Sequence, residues 1–104
     1  MSIVLSGYRF EGPYGSTASL KNRGGVYAVL TPTSPTRYKV MDVGESARVR
    51  ARVKTHDRKW CWRRHANRGQ IRYAVHYTHG MQQAGRRAIE QRIRKEYRPP
   101  CGSQ

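Results

Sequence analysis

Two stretches in the middle of the chain show the spacing of hydrophobic residues that is typical of β-strands. The run VYAVL, residues 26–30, is apolar at every position, as in a strand that is buried on both faces. In YKVMDV, residues 38–43, the side chains alternate, so that Tyr38, Val40 and Asp42 are predicted to share one face. Only a short proline-containing segment separates the two runs, which therefore predict an antiparallel hairpin.

The rest of the pattern predicts a third strand and two helices. IRYAVHY, residues 71–77, alternates again and reads as a strand. Residues 45–57 carry apolar positions at a helical spacing, with Ser46 as the N-cap. Residues 81–97 place Met, Gly, Ile, Ile and Tyr at successive four-residue steps, and this helix should end before Pro99.

The chain length limits the architecture to one small core. A protein of 104 residues is too short for two independent hydrophobic cores. Residues 1–24 are rich in turn formers and are predicted to be a lead-in with one possible extra strand, while residues 25–104 form the globular domain. The predicted fold class is α+β, a small three-stranded and mainly antiparallel sheet flanked by helices.

The charge of the chain points to a polyanionic partner. Lys and Arg number 21 against six Asp and Glu, which gives a net charge of +15. Most of these cations are arginines, which favour bidentate contacts with phosphate. Nucleic acid, duplex DNA above all, is the predicted partner, and a basic ribonucleoprotein component is the alternative. A membrane is not predicted, because no apolar run approaches the length of a spanning helix.

The two cysteines and the N-terminus bear on the cellular compartment. The start of the chain lacks the charged and apolar regions of a signal peptide, so we expect a cytoplasmic protein. In that reducing environment Cys61 and Cys101 are expected to be free thiols. A zinc site made by both cysteines and His65 is conceivable, although their spacing does not resemble a zinc motif.

Several cationic and aromatic residues are candidates for nucleic-acid contacts. Arg48, Arg52 and His56 follow one another at four-residue steps and would form a cationic ridge on the first helix. The segment 58–70 places two tryptophans among arginines, so that Trp60 and Trp62 either fill the core from a loop or stack on bases. The predicted nucleic-acid contacts are Arg48, Arg58, Lys59, Trp60, Arg63 and Arg64.

The order of five features resembles the GIY-YIG nuclease superfamily. GVY at 25–27 is followed by DVG at 42–44, then by Arg52 eight positions after the glycine, and then by His56 and Glu90. The C-terminal stretch RRAIEQRIRKEYRPP looks like the helix that carries the glutamate of that family. The resemblance covers most of the chain and implies a metal-dependent endonuclease that hydrolyses phosphodiester bonds in DNA.

The resemblance also implies a role for each residue. Tyr27 would orient or deprotonate the attacking water, with its pKa lowered by a nearby metal ion and arginines. Arg52 would supply a fixed positive charge, and His56 would assist proton transfer or bind phosphate. Glu90 would hold one Mg²⁺ or Mn²⁺ ion. Ordinary structural roles are the alternative, such as an ion pair between Glu90 and Arg94.

Asp42 departs from the family pattern, which has a tyrosine at that position. A carboxylate would repel the scissile phosphate unless a metal ion or Arg52 lies between them. In an active enzyme Asp42 would therefore be a catalytic residue, either beside the metal or orienting Arg52. The alternative is a non-catalytic nucleic-acid-binding module that uses the same fold.

Overall fold

The computed structural model describes residues 1–102, which fold into one five-stranded antiparallel sheet with three α-helices. The elements are β1 (Ser2–Leu5), β2 (Tyr8–Tyr14), β3 (Gly25–Ser34), β4 (Arg37–Ser46), α1 (Val49–Lys54), α2 (Lys59–His65), β5 (Arg72–Tyr77) and α3 (Gln83–Tyr97). The predicted α+β class is confirmed. The predicted number of three strands is wrong, because the N-terminal residues add two more.

The strand order shows how the N-terminal residues join the sheet. The order is β1-β2-β5-β3-β4, and every neighbouring pair is antiparallel. Phe10 on β2 is fully buried, and Leu20, which follows a 3-10 turn at Thr17–Ser19, is 2% exposed. Residues 1–24 therefore supply two strands and part of the core, because their few apolar side chains complete the packing on both faces of the sheet.

Each face of the sheet packs against helices. On one face Val26, Ala28 and Leu30 of β3 cluster with residues of α3. On the other face Tyr27 and Val29 cluster with residues of α1 and α2. The prediction that this strand is buried on both faces is confirmed, since the side chains on each face of residues 26–30 are at most 2% exposed.

The strand β4 contains a bulge that changes the direction of its side chains. Asp42 pairs with Val29, and one extra residue, Met41, precedes the next pair. Met41 joins the cluster on the α1–α2 face, where Trp62 donates a hydrogen bond to Asp42, while Val40 lies in the cluster on the α3 face. The predicted sharing of one face by Val40 and Asp42 is therefore wrong, because the bulge shifts the alternation by one residue.

The first helix is shorter than the predicted segment 45–57. Ser46 is the last residue of β4, and its hydroxyl accepts a hydrogen bond from the backbone N–H of Arg48. Arg48 precedes α1 and is exposed, whereas His56 follows the helix and is buried. The predicted cationic ridge of Arg48, Arg52 and His56 is therefore wrong, because the chain leaves the helix before His56.

The other two helices follow the sequence pattern in part. The segment that was expected to be a loop forms α2. In α3, Ile89 and Ile93 are buried, but Met81 lies before the helix and is exposed, as is Tyr97 at its end. The row of buried residues on this helix is thus shorter than predicted. Within residues 1–102, no helix has both the length and the hydrophobicity required to cross a membrane.

The segment after α3 is attached to β4 and α2. The backbone N–H of Cys101 donates to the carbonyl of Met41 at 2.9 Å, and its carbonyl accepts from Arg94 at 3.0 Å. Cys101 also forms a disulfide bond with Cys61 of α2. The expectation of free thiols is therefore wrong for this structure, because the fold brings together two cysteines that lie 40 residues apart in the sequence.

Candidate active site

Four of the predicted catalytic and contact residues line a single cleft at the β4 edge of the sheet. Tyr27 comes from β3, Arg52 from α1, Arg58 from the start of α2 and Glu90 from α3. The cleft has a volume of about 280 Å³. Its complete lining is Tyr27, Gly44, Glu45, Arg52, Arg58, Arg87, Glu90 and Gln91.

Volume alone would select a different cleft. A cleft of about 540 Å³ lies beside the end of α3, lined by Gln91, Arg94, Lys95 and Arg98. Another of about 600 Å³ lies near residues 77–81. Neither lining contains a carboxylate. The cleft at β4 is smaller, but it combines a phenol, two carboxylates and three arginines, which is the chemical variety that a reaction on phosphate requires.

Gly44 allows Tyr27 to occupy the floor of this cleft. The two residues are paired across β3 and β4. A Cβ atom at position 44 would lie 2.2 Å from the Tyr27 hydroxyl oxygen and 2.3 Å from Cζ. Only glycine leaves room for the ring, so the close approach of the ring requires the glycine of the DVG motif.

Tyr27 and His56 form a buried hydrogen-bonded pair whose donor can be assigned. The Nε2 of His56 lies 2.8 Å from the Tyr27 hydroxyl oxygen. Burial, with Arg52 and Arg58 nearby, lowers the pKa of His56 to about 4, so the imidazole is neutral at pH 7. Its Nδ1 accepts a hydrogen bond from the backbone N–H of Arg58 at 3.0 Å. The single proton therefore sits on Nε2, and His56 donates to Tyr27.

The pKa of Tyr27 moves in the direction opposite to the sequence-based expectation. Burial raises it to about 12, which outweighs the opposing effect of Arg52. Arg52 and Arg58 do lower this pKa, as expected, but the almost complete burial of the ring raises it by more. The expected lowering by a metal ion stays a prediction. Tyr27 is thus a neutral phenol at pH 7. Since its oxygen accepts from His56, its own O–H remains available as a donor.

Two of the three arginines of the cleft, Arg52 and Arg58, are held by different carboxylates. Arg52 is 42% exposed, and its Nη2 lies 3.3 Å from the exposed carboxylate of Asp57. Arg58 is less exposed and donates through Nε and Nη2 to Asp42, at 2.9 and 3.2 Å. Its position is therefore the more rigid of the two. The sequence had suggested Arg58 only as a surface contact.

Asp42 lies behind the cleft and is saturated with hydrogen bonds. Its carboxylate has no exposed surface and accepts one bond each from the Val43 N–H, the Trp62 indole and Arg94, at 2.8, 2.8 and 2.6 Å, besides the two from Arg58. These five bonds occupy the lone-pair positions of the carboxylate. Asp42 is therefore placed to orient Arg58 and Arg94, and its hydrogen bonds go to these two arginines and not to Arg52.

Arg94 connects this buried carboxylate to the cleft, and it was not predicted as a site residue. It is 3% exposed and donates to Glu90 Oε2 at 3.0 Å, as well as to Asp42 and to the carbonyls of Val43 and Cys101. The i,i+4 spacing of Glu90 and Arg94 was visible in the sequence. Its contact with Asp42 was not, because the two residues are 52 positions apart.

Glu90 has the features expected of a ligand for a divalent cation. It is 17% exposed, and among residues 1–102 its hydrogen bonding uses Oε2 alone. The other carboxylate of the cleft, Glu45, accepts from Arg86 at 2.9 Å and Gln83 at 3.1 Å. One carboxylate oxygen thus remains for a cation, and Mg²⁺ often takes only one or two protein carboxylates together with water.

The predicted nucleic-acid contacts on α2 lie on its outer side. Trp60 is 59% exposed, and Arg63 and Arg64, three and four positions later, are exposed as well. Lys59 is half-buried. Trp62 instead fills the core and donates to Asp42. The core-filling explanation therefore applies to Trp62, while base stacking stays a prediction for Trp60.

The chain shows no match in comparisons with protein-family models, with curated proteins and with solved structures. Its function therefore has to be inferred from the cleft and from the charge around it. The cleft joins a neutral phenol, a free carboxylate oxygen and several arginines. The net charge of the chain is +15, so the potential around the cleft is positive.

Proposed function

We propose that this protein is a metal-dependent endonuclease that hydrolyses phosphodiester bonds in DNA, with an active site of the GIY-YIG type. One observation carries the proposal: Tyr27 with its His56 partner, Arg52 and Glu90 surround one cleft, although they belong to separate elements of the fold. Each residue alone has an ordinary structural explanation. Together they provide a water-orienting group, a fixed positive charge and a cation ligand.

The cleft suits a phosphate group of a nucleic acid. Arg52, Arg58 and Arg87 line it together with only two carboxylates, Glu45 and Glu90. Glu45 is already paired with Arg86. The balance of charge is positive, so a phosphodiester is attracted into the cleft and a carboxylate substrate would find the same complementarity only in part.

Tyr27 is proposed to position the attacking water. The oxygen of the neutral Tyr27 phenol accepts a hydrogen bond from His56, so its own O–H points away from His56. A water or a phosphate oxygen can accept a hydrogen bond from that O–H. In this state Tyr27 holds the water, and the proton that the water loses on attack would pass to bulk solvent. His56 fixes the phenol and cannot act as the base, because its Nε2 carries the proton.

Arg52 and Arg58 are proposed to stabilise the negative charge that develops on the phosphate oxygens. Arg58 is held by the two bonds from Asp42, so little reorganisation is needed when the charge appears. Arg52 is more exposed and can follow the substrate. Asp42 thus contributes to catalysis as a positioning residue.

Glu90 is the residue that would hold the divalent cation. Arg94 keeps its Oε2 in place, and Oε1 is left for the ion. A bound Mg²⁺ or Mn²⁺ would act as a Lewis acid on the phosphate and would lower the pKa of a neighbouring water or phenol. The side chains named above bind and orient the substrate.

The direct test is nicking of supercoiled plasmid DNA in Mg²⁺ or Mn²⁺, with and without chelator. We expect nicking that chelator abolishes. Arg52→Ala should reduce the rate by about 10²–10³-fold, as loss of one preorganised donor does elsewhere. Lys54→Ala is the matched control, because Lys54 is an exposed cation on the same helix but outside the cleft. A wild type that never nicks in Mn²⁺ would overturn the proposal.

A non-catalytic nucleic-acid-binding module is the second candidate. The pKa of about 12 for Tyr27 favours it, because the phenol stays protonated at pH 7 and cannot accept a proton. The positive net charge of the cleft favours it as well. Such a protein would bind DNA without nicking it. Its log K should fall with log salt at a slope of about −0.9 for each phosphate neutralised. A DNA affinity that does not change with salt concentration would exclude both candidates.

A further inference from the structure

A second cluster of reactive side chains surrounds the disulfide. His65 lies four positions after Cys61 on α2, so both face the same side of the helix. Cys101 reaches them from the segment after α3. One ligand atom from each of the three residues lies within 4.8 Å of the others. Two sulfurs and an imidazole are the ligands that Zn²⁺ prefers.

The arrangement does not depend on the disulfide bond alone. Cys101 is held by its hydrogen bonds to the Met41 carbonyl and from Arg94. Cys61 is held by α2, because the neighbouring Trp62 is buried and bonds to Asp42. If the bond is reduced, these contacts keep both thiols close together. Reduction is the condition to consider, because a disulfide opens to two thiols in a reducing environment.

We propose that the reduced chain binds Zn²⁺ through the Sγ atoms of Cys61 and Cys101 and the imidazole of His65. In a tetrahedral site with Zn–S bonds of about 2.3 Å and Zn–N bonds of about 2.0–2.1 Å, ligand atoms stand roughly 3.5–3.8 Å apart. The three ligand atoms already lie within 4.8 Å of one another. Water fills the fourth position. The disulfide and the zinc site are then two alternative states of the same residues.

The charges balance in the zinc-bound state. Reduction by a phosphine adds two electrons and two protons to the disulfide, while the phosphine takes an oxygen from water and becomes its oxide. Binding of Zn²⁺ then releases both thiol protons, and two thiolates neutralise the ion. The site is separate from the cleft, since hard Mg²⁺ prefers oxygen ligands.

The test uses Co²⁺ as an optical probe and Zn²⁺ as its competitor on the full-length chain. After reduction with a phosphine, the wild type should bind one Co²⁺ with thiolate-to-metal charge-transfer absorption, and Zn²⁺ should displace it. The oxidised protein should show no such absorption. His65→Gln keeps the disulfide and should weaken binding by more than the roughly 10–100-fold cost of losing an outer-shell partner. His79→Gln is the control, because His79 is exposed and outside the cluster.

Two results would overturn the proposal. One is a reduced wild type without thiolate–cobalt absorption. The other is a His65→Gln variant that binds Co²⁺ and Zn²⁺ as tightly as the wild type, which would place the metal elsewhere. His65→Gln leaves both cysteines in place. The comparison therefore does not require a cysteine variant, such as Cys101→Ser, to fold. Neither result depends on whether the protein cleaves DNA.

Discussion

The cleft and the region directly behind it each contain a carboxylate bound to Arg94, and the two carboxylates differ in every other respect. Asp42 has no exposed surface and accepts five hydrogen bonds. Glu90 is partly exposed, lines the cleft and keeps one oxygen outside its bond to Arg94. Of the two acids that share Arg94, Asp42 is thus part of the buried structure, and Glu90 keeps an oxygen that can contact a ligand in the cleft.

This difference shows how a buried network can prepare an open site. The Asp42 region fixes Arg58 and Arg94 by charge-assisted bonds that exclude water. Arg58 then lines the cleft itself, and Arg94 holds Glu90, which lines the cleft. We therefore expect the buried Asp42 region to determine the free energy of unfolding, and the residues of the cleft to determine the proposed activity.

The largest effect is expected from Asp42→Ala. The change leaves Arg94 and Arg58 without their buried counter-charge, and removing one partner of such a pair costs about 3–5 kcal/mol. The measurement is the free energy of unfolding from a denaturant titration. Glu90→Gln should cost about 0–1 kcal/mol, because it disturbs a single i,i+4 pair at the edge of the cleft. Equal losses in the two variants would remove the distinction between the regions.

Activity should show the reverse order. If the proposed function holds, Glu90→Gln lowers the cleavage rate by about 10²-fold or more, since a bound cation contributes several kcal/mol to catalysis. The assay is plasmid nicking at saturating Mg²⁺, with circular dichroism to confirm folding. Glu96→Gln, on the same helix and exposed, is the matched control. A fully active Glu90→Gln variant would show that this carboxylate holds no essential cation.

The Tyr27–His56 pair predicts a pH dependence of stability. His56 has a pKa of about 4 in the folded chain and about 6.5 when unfolded, so the unfolded state binds the proton first as pH falls. The contribution of His56 to the free energy of unfolding is complete above pH 6.5. It is lost between pH 6.5 and 4 and amounts to at most roughly 3 kcal/mol. Unfolding titrations across this range should show the loss in the wild type.

The same titrations on His56→Gln separate the effect from general acid denaturation. The variant should lose most of the pH dependence between 6.5 and 4, because the titrating group is gone. His79→Gln should behave as the wild type, since that imidazole is exposed. Identical curves for wild type and His56→Gln would contradict the assignment of a neutral, buried imidazole.

The smallest effect is expected at the outer side of α2. Trp60→Ala should weaken binding of single-stranded DNA by about 1–3 kcal/mol, the value of one base–aromatic stack. Fluorescence anisotropy at fixed salt measures it. Trp62→Phe should instead reduce stability, because Trp62 is buried and bonds to Asp42. An unchanged affinity in Trp60→Ala would exclude this tryptophan from the interface.

Local patterns in the sequence were sufficient for much of the fold. The hairpin of β3 and β4, the third strand β5 and the position of α3 follow from residue spacing, because strand and helix periods depend on neighbours a few positions apart. Glu90 lies on α3 next to the buried Ile89. The cleft contains that glutamate together with Tyr27 and Arg52, as the order of residues in the chain suggested.

Tertiary structure alone decided what surrounds these residues. The bulge at Met41, the burial of Asp42, its bond to Arg94 across 52 positions and the Cys61–Cys101 disulfide all depend on contacts between distant segments. The direction of the Tyr27 pKa shift belongs to the same group, because burial by surrounding elements outweighs the charge of Arg52. A sequence specifies which groups are present, but their solvent exposure and distant partners, which set their charge and availability, arise only when the chain has packed.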